Sequence, residues 1–309
     1  MRALIAGVSG FIGSALTRKL VEEGHEVHAV VRRDPGDGQA AFDLGARRID
    51  VSRLPGGSLT GVDVVFCLVG APLVPRRWGL ERRESLRASR IQTTDVLARA
   101  IATAQDAPPV FISMSATGYY GSRGDEILDE GSTAGSGFLA ELCRAWEAAT
   151  APARDRGVRV AYVRTGIVLG PGGGALATLR PLFSHGLGAR LGSGRQWTSW
   201  ISLDDAVTGL QTVAANADLA GAVNLVSPNP VRNDTFTEAL AASVGRPSRL
   251  VVPRAVLVGA VGKRVADEFV LASQRVVPRR LQGVGMTWAH PDIDRALAAS
   301  EPSASAVIG

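Results

Sequence analysis

The chain has 309 residues, enough for one large domain or two ordinary ones with a buried core. Its net charge of +5 comes almost entirely from arginines scattered along the chain, which favours an anionic small molecule over nucleic acid as the partner. No apolar run reaches the length of a membrane span and the first predicted strand begins at residue 3, so we expect a cytoplasmic protein with no membrane association.

The first predicted elements are a short buried strand over residues 3–6 and a helix over residues 14–23. Between them the glycines follow the spacing GxxGxxG. Glycine is required where a strand turns tightly, where backbone amides approach a pyrophosphate and where a helix N-terminus faces that anion. The motif predicts a dinucleotide-binding loop, the alternative being an ordinary strand–helix turn. Its expected contacts are Gly7, Ser9, Gly10, Phe11, Ile12 and Gly13.

The next two strands, over residues 25–31 and 48–51, indicate which nicotinamide cofactor is bound. An acidic residue at the end of the second strand binds the ribose 2′-hydroxyl of NAD, whereas arginine there suits the 2′-phosphate of NADP. This chain has Arg32 and Arg33 at that place, which favours NADP (NADPH), although Arg33 could be solvated. Asp50, at the end of the third strand, could accept from the adenine amino group or cap a turn.

Strand and helix patterns then alternate as far as residue 163, with strands over residues 62–69, 110–115 and 159–163 and helices over residues 84–104 and 138–156. Such alternation predicts an α/β fold, a Rossmann-like doubly wound parallel sheet with a smaller, mainly helical substrate-side lobe. A glycine-rich stretch marks the first departure from the sheet. The expected division is a Rossmann domain over residues 1–170 completed by 198–228, a lobe over 171–197 and 229–298, and a flexible tail over 299–309.

Several further motifs occur in order, over residues 67–71, 111–121, 164–170, 195–205 and 224–227. Together with the glycine loop they resemble the extended short-chain dehydrogenase/reductases, including nucleotide-sugar epimerases. Residues 77–78, 89–91 and 138–147 are similar to an atypical epimerase-family subgroup, the SulA-type proteins, which carry a C-terminal domain of unknown function. The resemblance implies further cofactor contacts from Leu68, Val69, Gly70, Ala71, Arg90, Ser113, Met114, Arg164, Gly166 and Ile167.

The resemblance also implies a catalytic Ser or Thr, Tyr and Lys, in which the hydroxyl orients the substrate and the tyrosine moves a proton. Ser115 matches the hydroxyl, although it could simply cap the end of a strand. Alignment puts Leu139 and Cys143 in the Tyr-x-x-x-Lys positions. No lysine can replace them, because the only lysines are Lys19 and Lys263. The remaining candidate proton donors, Tyr119 and Tyr120, follow Ser115 closely, and the second is more typical of a packing aromatic.

The expected substrate contacts are aromatic and basic, because indole faces stack on planar or sugar rings and guanidinium groups bind phosphate or carboxylate. An anionic or sugar-like small molecule would suit them, although single tryptophans more often lie in a core. No metal-ligand spacing is present, so no metal is expected. The sequence leaves open whether the protein is an enzyme or a non-catalytic cofactor-binding protein, and whether it forms a homo-oligomer. The predicted substrate residues are Trp78, Arg144, Trp197 and Trp200.

Overall fold

The computed structural model describes residues 1–31, 47–50, 59–73 and 77–301, with backbone alone for residues 31 and 47–50. In chain order the strands are β1 (Arg2–Ala6), β2 (Glu26–Val31), β3 (Arg47–Asp50), β4 (Val64–Cys67), β5 (Val110–Ala116), β6 (Ile127–Leu128), β7 (Arg159–Thr165), β8 (Ile167–Leu169), β9 (Ala189–Leu191), β10 (Trp197–Thr198), β11 (Trp200–Ser202), β12 (Gly221–Leu225), β13 (Val231–Arg232), β14 (Leu250–Val252) and β15 (Arg275–Val276).

The helices are α1 (Phe11–Glu22), α2 (Leu80–Thr103), α3 (Phe138–Ala148), α4 (Ala151–Asp155), α5 (Gly174–Ser184), α6 (Leu203–Ala215), α7 (Asn233–Ser243), α8 (Arg254–Val261), α9 (Lys263–Val265), α10 (Arg279–Gly283) and α11 (Ile293–Ala299). A 3-10 turn spans Thr117–Tyr120 and a π-helical turn spans Ala266–Val270. No helix within the described ranges is both long and apolar enough to cross a membrane.

Seven strands form one parallel sheet in the order β12-β7-β5-β4-β1-β2-β3. Strands such as β4, Val-Val-Phe-Cys, are buried along their whole length because helices cover both faces of the sheet. Leu16 of α1 and Leu210 of α6 lie in the core on one face, whereas Leu97 of α2 and Ala153 of α4 lie in the core on the other. The doubly wound sheet predicted from the sequence is confirmed.

The predicted single helix over residues 138–156 is instead two helices, α3 and α4. Pro152 occupies the first turn of α4, where its missing N–H leaves no helical bond unmade. In the interior of one continuous helix the same proline would remove a hydrogen bond and clash with the preceding turn. Pro152 therefore accounts for the break between α3 and α4, and α3 alone runs beside the loops at the carboxyl ends of the strands.

Short paired strands and helices build the rest of the described chain. β8 pairs with β11, β9 with β14, β10 with β13 and β6 with β15. Helices α5, α7 and α11 share a separate apolar cluster that includes Leu176, Leu240 and Leu297. Ser300, within the predicted tail, is buried and donates to the carbonyl of Ala296. Residues 302–309 lie outside the described part of the chain.

Candidate cofactor and active site

The glycine turn lies where the sheet order reverses, between β1 and β4. Gly7 has a φ of +99°, and a Cβ placed on it would lie 3.0 Å from the carbonyl carbon of Leu68. A Cβ on Gly13 would overlap the carbonyl oxygen of Gly7, and Gly10 donates its N–H to that same oxygen at 2.9 Å. Only glycine fits these approaches. In open α/β sheets this crevice is where ligands bind, next to the N-terminus of the following helix.

The aromatic ring of Phe11 fills a space left by a second set of glycines. A Cβ on Gly173 would overlap the ring, and one on Gly170 would lie 3.1 Å from its Cζ atom. The side chain of Phe11 is thus a packing contact between the turn and the segment after β8. Its predicted contact with a cofactor would come from its backbone.

The residues predicted to distinguish NADP from NAD lie next to β2. Arg32 and Arg33 are outside the described residues. The backbone of Asp50 ends β3, opposite Val31 in the parallel register, and its side chain is not described. The prediction of a 2′-phosphate site therefore stays a prediction.

The loop after β4 forms the next part of the crevice. Leu68 and Val69 are half-buried and Gly70 is exposed, so this loop borders open space. Arg90 of α2 lies behind it and donates from Nη2 to the carbonyl of Ala71 at 2.9 Å. The remaining predicted cofactor residues are enclosed to different degrees: Ser113, Met114 and Arg164 are buried, whereas Gly166 and Ile167 are half-buried.

A buried ionic network lies at the carboxyl end of β5. Ser115 donates its hydroxyl to Oε1 of Glu147 at 2.8 Å. Arg164 binds the same carboxylate with two parallel bonds, Nε to Oε1 and Nη2 to Oε2, each 2.9 Å long. Such a fork is the strongest geometry available to arginine and carboxylate. It pairs two charges that would otherwise be costly to bury, since Arg164 is 4% exposed and Glu147 9%.

The two candidate tyrosines occupy different places in this network. Tyr120 is fully buried, accepts from Nη1 of Arg164 at 3.1 Å and donates to Oδ1 of Asn224 at 2.7 Å. Burial raises the pKa of Tyr120 to about 12, against the opposing effect of Arg164. Tyr119 is half-buried, and its ring covers the guanidinium of Arg164 with 3.4 Å between Cζ and the ring centroid. Tyr120 is thus enclosed within the network, and Tyr119 is the phenol nearer to solvent.

The electrostatics of the network follow from the same contacts. Burial acts to lower the pKa of Arg164, but the hydrogen bonds and charge of Glu147 outweigh it, so the pKa is raised. The guanidinium stays charged and neutralises the carboxylate. Ser115 consequently donates its proton to a carboxylate whose position is fixed by two further hydrogen bonds, both from Arg164.

Helix α3 presents apolar groups where the resemblance would put tyrosine and lysine. A Cβ on Gly118 would lie 3.3 Å from Cβ of Leu139 and 3.8 Å from Sγ of Cys143, so both side chains lie against the 3-10 turn. Burial raises the pKa of the Cys143 thiol to about 12, and the nearby Glu147 acts in the same direction. A neutral buried thiol cannot supply the positive charge of an ammonium group.

The four predicted substrate residues do not come together. Trp200 is fully buried in the cluster that contains α5, α7 and α11, so the prediction of a substrate contact does not fit its position. Trp78 is 6% exposed and packs against Phe138. Arg144 is exposed on α3, off the face that carries Cys143 and Glu147.

Trp197 is the one predicted substrate residue with a half-buried ring among charged groups. Two guanidinium groups lie close to its ring, with Cζ of Arg232 and Arg275 at 4.7 and 4.5 Å from the ring centroid. Its Nε1 donates to Asp125 at 2.7 Å. Asp125 also pairs with Arg232 at 3.0 Å, so two guanidinium groups and one carboxylate around the indole leave a net positive charge.

Three functional side chains were missed from the sequence. Asn224 is the one polar residue of β12, and Glu147 is a charged residue on the buried face of α3, next to Cys143 and Trp146; both contrasts are signals that could have found them. Gln274, in the C-terminal part of the chain, accepts from the hydroxyl of Thr117 at 2.9 Å. Its separation of 157 residues from Thr117 leaves no local signal in the sequence.

Comparison with known proteins identifies the class. Residues 3–225 match the NAD dependent epimerase/dehydratase family, and the chain belongs to that family. Residues 252–300 match a domain of unknown function, DUF1731. The resemblance stated from the sequence is therefore confirmed, including its C-terminal domain.

Particular relatives cover almost the whole chain. It is 46% identical over 293 residues to the epimerase family protein Mb2239 of Mycobacterium bovis, covering 95% of each chain. It is 33% identical to human epimerase family protein SDR39U1, whose crystal structure with NADPH gives a TM-score of 0.87 and covers 97% of this chain and 99% of that one. A nucleoside-diphosphate sugar epimerase from Corynebacterium glutamicum is 38% identical with a TM-score of 0.76, covering 97% of this chain and 58% of that one. The NADPH in the human structure agrees with the cofactor predicted from the sequence.

Proposed function

We propose that the protein is an NADP-dependent oxidoreductase or epimerase-like enzyme with a modified proton relay. The cofactor would lie across the crevice between β1 and β4, with its pyrophosphate at the glycine turn and the N-terminus of α1. Its adenosine half would then fall on the β2 side, the strand that Arg32 and Arg33 follow in the sequence, and its nicotinamide half on the β5 side. The NADPH bound to human SDR39U1 supports this choice of cofactor.

The observation that carries the proposal is the bond from Ser115 to Glu147, held by Arg164 at the carboxyl end of a central strand. When bound, NADPH supplies a hydride to an electrophilic carbon. Ser115 would turn its hydroxyl from Glu147 to donate to the oxygen on that carbon, while Glu147 would stay paired with Arg164. Tyr119 would give its phenolic proton to the same oxygen, so that a carbonyl becomes an alcohol, and would recover a proton from solvent.

This relay replaces a tyrosine–lysine pair on α3. Leu139 and Cys143 occupy that place, and neither can hold a positive charge or donate a proton near neutrality. Arg164 would take over the electrostatic part, because its charge lies against the ring of Tyr119. Trp197, with Arg232 and Arg275 close to its ring, would attract an anionic or sugar-like substrate. The two buried free thiols, Cys67 and Cys143, support a reducing, cytoplasmic location within the same proposal.

The test begins with calorimetric titration of the protein with NADPH and NADH, in which we expect saturable binding and a preference for NADPH. Stereospecific loss of deuterium from NADPH labelled at the 4-position then reports turnover on a panel of aldehydes, ketones and UDP-hexoses. Replacing Tyr119 by Phe should lower the rate about 10²- to 10⁴-fold, the range of general acid catalysis. The matched variant Tyr120→Phe should keep most of the activity, and unchanged rates in both variants would reject the phenol as proton donor.

A second candidate function has its own observation. Ser115 is 2% exposed and its hydroxyl already donates to Glu147, so the residue offers a ligand little access. A non-catalytic protein, in which NADPH stabilises the fold or reports redox state to a partner, would need no contact between Ser115 and a substrate. Tight NADPH binding without hydride transfer across the whole panel would favour this function over the enzyme.

A further inference from the structure

A group of exposed apolar side chains lies on the part of the molecule built by α5, β9 and β14. Nine large apolar side chains are exposed within the described residues, and four of them fall in two short segments. Single exposed apolar residues are ordinary, whereas a group of them indicates an interaction surface. We call this group the apolar patch, which consists of Leu182, Leu187, Leu250 and Val251.

Hydrogen bonding and strand pairing bring the two segments of the apolar patch together. The N–H of Leu187 donates to the carbonyl of Leu182 at 2.9 Å, so both residues belong to the turn at the end of α5. Strand β9 follows that turn and pairs with β14 in parallel register, with Ala189 opposite Leu250. The four side chains of the patch therefore belong to one region of the surface.

The turn after α5 presents Leu187 at its end. Leu187 is 59% exposed and lies between Gly186, which has a φ of +74°, and Gly188. A Cβ on Gly188 would overlap the ring of Phe183, so only glycine lets the chain turn back this closely over the ring. The result is an exposed apolar side chain at the end of a tight turn.

Basic side chains flank the apolar patch. Arg246 and Arg249 are both exposed. Arg246 is held against the turn after α5, because its Nε donates to the carbonyl of Ser184 at 3.0 Å, and Arg249 directly precedes β14. The two stretches of sequence that contain the patch, residues 156–203 and 239–266, have no aspartate or glutamate.

Acidic side chains approach the patch from other elements and do not balance this charge. Asp234 and Glu238 of α7 line a cavity together with Arg190 and Arg249. Beyond β14, two further cations share one carboxylate, the set being Arg254, Lys263 and Asp267. With Arg246 included, five cations face three carboxylates, so this surface has a net positive charge.

These features fit the surface of an anionic lipid bilayer. In such a contact, apolar side chains enter the boundary between headgroups and acyl chains, while arginines bind the phosphates. A second copy of the chain fits less well, because a two-fold contact would oppose the same arginines. A peptide helix would need an apolar groove, whereas Leu187 projects from a turn. The sequence predicts no membrane association because it lacks a spanning segment, but a surface contact needs none.

We propose that the apolar patch docks the protein on the surface of an anionic phospholipid membrane. Leu182 and Leu187 enter the interface, with Leu250 and Val251 beside them. The nearby arginines bind lipid phosphates. Because few side chains take part, the contact is reversible, and because arginine charges contribute to it, it weakens as salt is added.

Flotation of the purified protein with vesicles tests the contact. We expect the protein to float with vesicles of phosphatidylcholine and phosphatidylglycerol, but not with vesicles of phosphatidylcholine alone, and to float less at about 0.5 M salt. Leu187→Ser should lower the ratio of bound to free protein about 10-fold, because it removes the most exposed apolar side chain of the patch. Arg249→Gln should lower the same ratio about fivefold.

The matched controls are Leu80→Ser and Arg18→Gln. Leu80 is 80% exposed at the start of α2, and Arg18 is exposed on α1. Both controls should float as the wild type does. All four substitutions are at exposed positions, so the unfolding midpoints should stay at the wild-type value.

Three results would overturn the proposal. The first is a wild type that does not float with the phosphatidylglycerol vesicles. The second is flotation that Leu187→Ser leaves unchanged or that Leu80→Ser lowers equally, because charge alone or general stickiness would then explain it. The third comes from sedimentation velocity without vesicles: a dimer that Leu187→Ser converts to a monomer would assign the patch to a second copy of the chain.

Discussion

Replacing Glu147 by Gln tests whether the buried network contributes to stability in the way its geometry implies. The carboxylate accepts two bonds from Arg164 and one from Ser115. Glutamine has nearly the same volume but presents one oxygen and one NH₂ group, so the guanidinium would lose a hydrogen-bond acceptor and its counter-charge. Removing one partner of a buried ion pair costs about 3–5 kcal/mol. Since whole proteins are stable by about 5–15 kcal/mol, this loss is large.

Urea unfolding followed by tryptophan fluorescence and circular dichroism measures the effect. The control is Glu141→Gln on the same helix, where the carboxylate is 54% exposed and lies 3.6 Å from Arg87. A surface pair of this kind contributes about 0–1 kcal/mol, so the control should unfold almost as the wild type does.

The double variant Glu147→Leu with Arg164→Met separates charge from volume. It removes both charges together and leaves Tyr120 its bond to Asn224. Because an apolar pair of similar volume often matches a buried ion pair, the double variant should be more stable than Glu147→Gln. A loss below about 1 kcal/mol in Glu147→Gln, or a double variant that is less stable than Glu147→Gln, would refute the reasoning.

Three other outcomes follow from the geometry. Gly13→Ala should abolish NADPH binding measured by calorimetry, because its Cβ would overlap the backbone of the glycine turn, whereas Gly259→Ala, with open space around it, should bind normally. Cys67 and Cys143 are buried with raised pKa values, about 11 and about 12, so Ellman's reagent at pH 8 should label neither until denaturant is added. The pKa of Tyr120 rises from 10.0 to about 12 on folding, so the folded state keeps a proton that the unfolded state releases. The free energy of unfolding should therefore fall as the pH rises from about 10 to about 12, and it should fall less steeply in Tyr120→Phe. Equal pH dependence of the free energy of unfolding in the two proteins would contradict the burial of Tyr120.

Local sequence patterns were enough for the sheet and the glycine turn. Continuous apolar runs such as that of β4 predict strands covered on both faces, and the glycine spacing predicts the approach of Gly7 to a neighbouring strand. Both are properties of a few adjacent residues. The break between α3 and α4 was also encoded locally, in Pro152, but the apolar periodicity on either side concealed it.

The candidate site could be predicted only in part, because its contacts join distant segments. Ser115 and Glu147 are 32 residues apart, and the pairing of Glu147 with Arg164 depends on how α3 lies against β7. Composition shows that lysine is missing from α3 but not which cation replaces it. Trp200 has the same side chain as Trp197, and only the packing of α5 and α7 decides that it is buried.

Polar side chains of the C-terminal domain, among them Glu268 and Gln274, contact the candidate site. Glu268, in the π-helical turn, accepts from the N–H of Leu139 at 3.2 Å, and Gly137 leaves room for its carboxylate. A carboxylate at this place satisfies a free N–H at the start of α3 and interacts favourably with the helix dipole. Gln274 holds Thr117 on the other side of the same loop. These two hydrogen bonds therefore tie the C-terminal domain to the 3-10 turn that carries Tyr119 and to the start of α3.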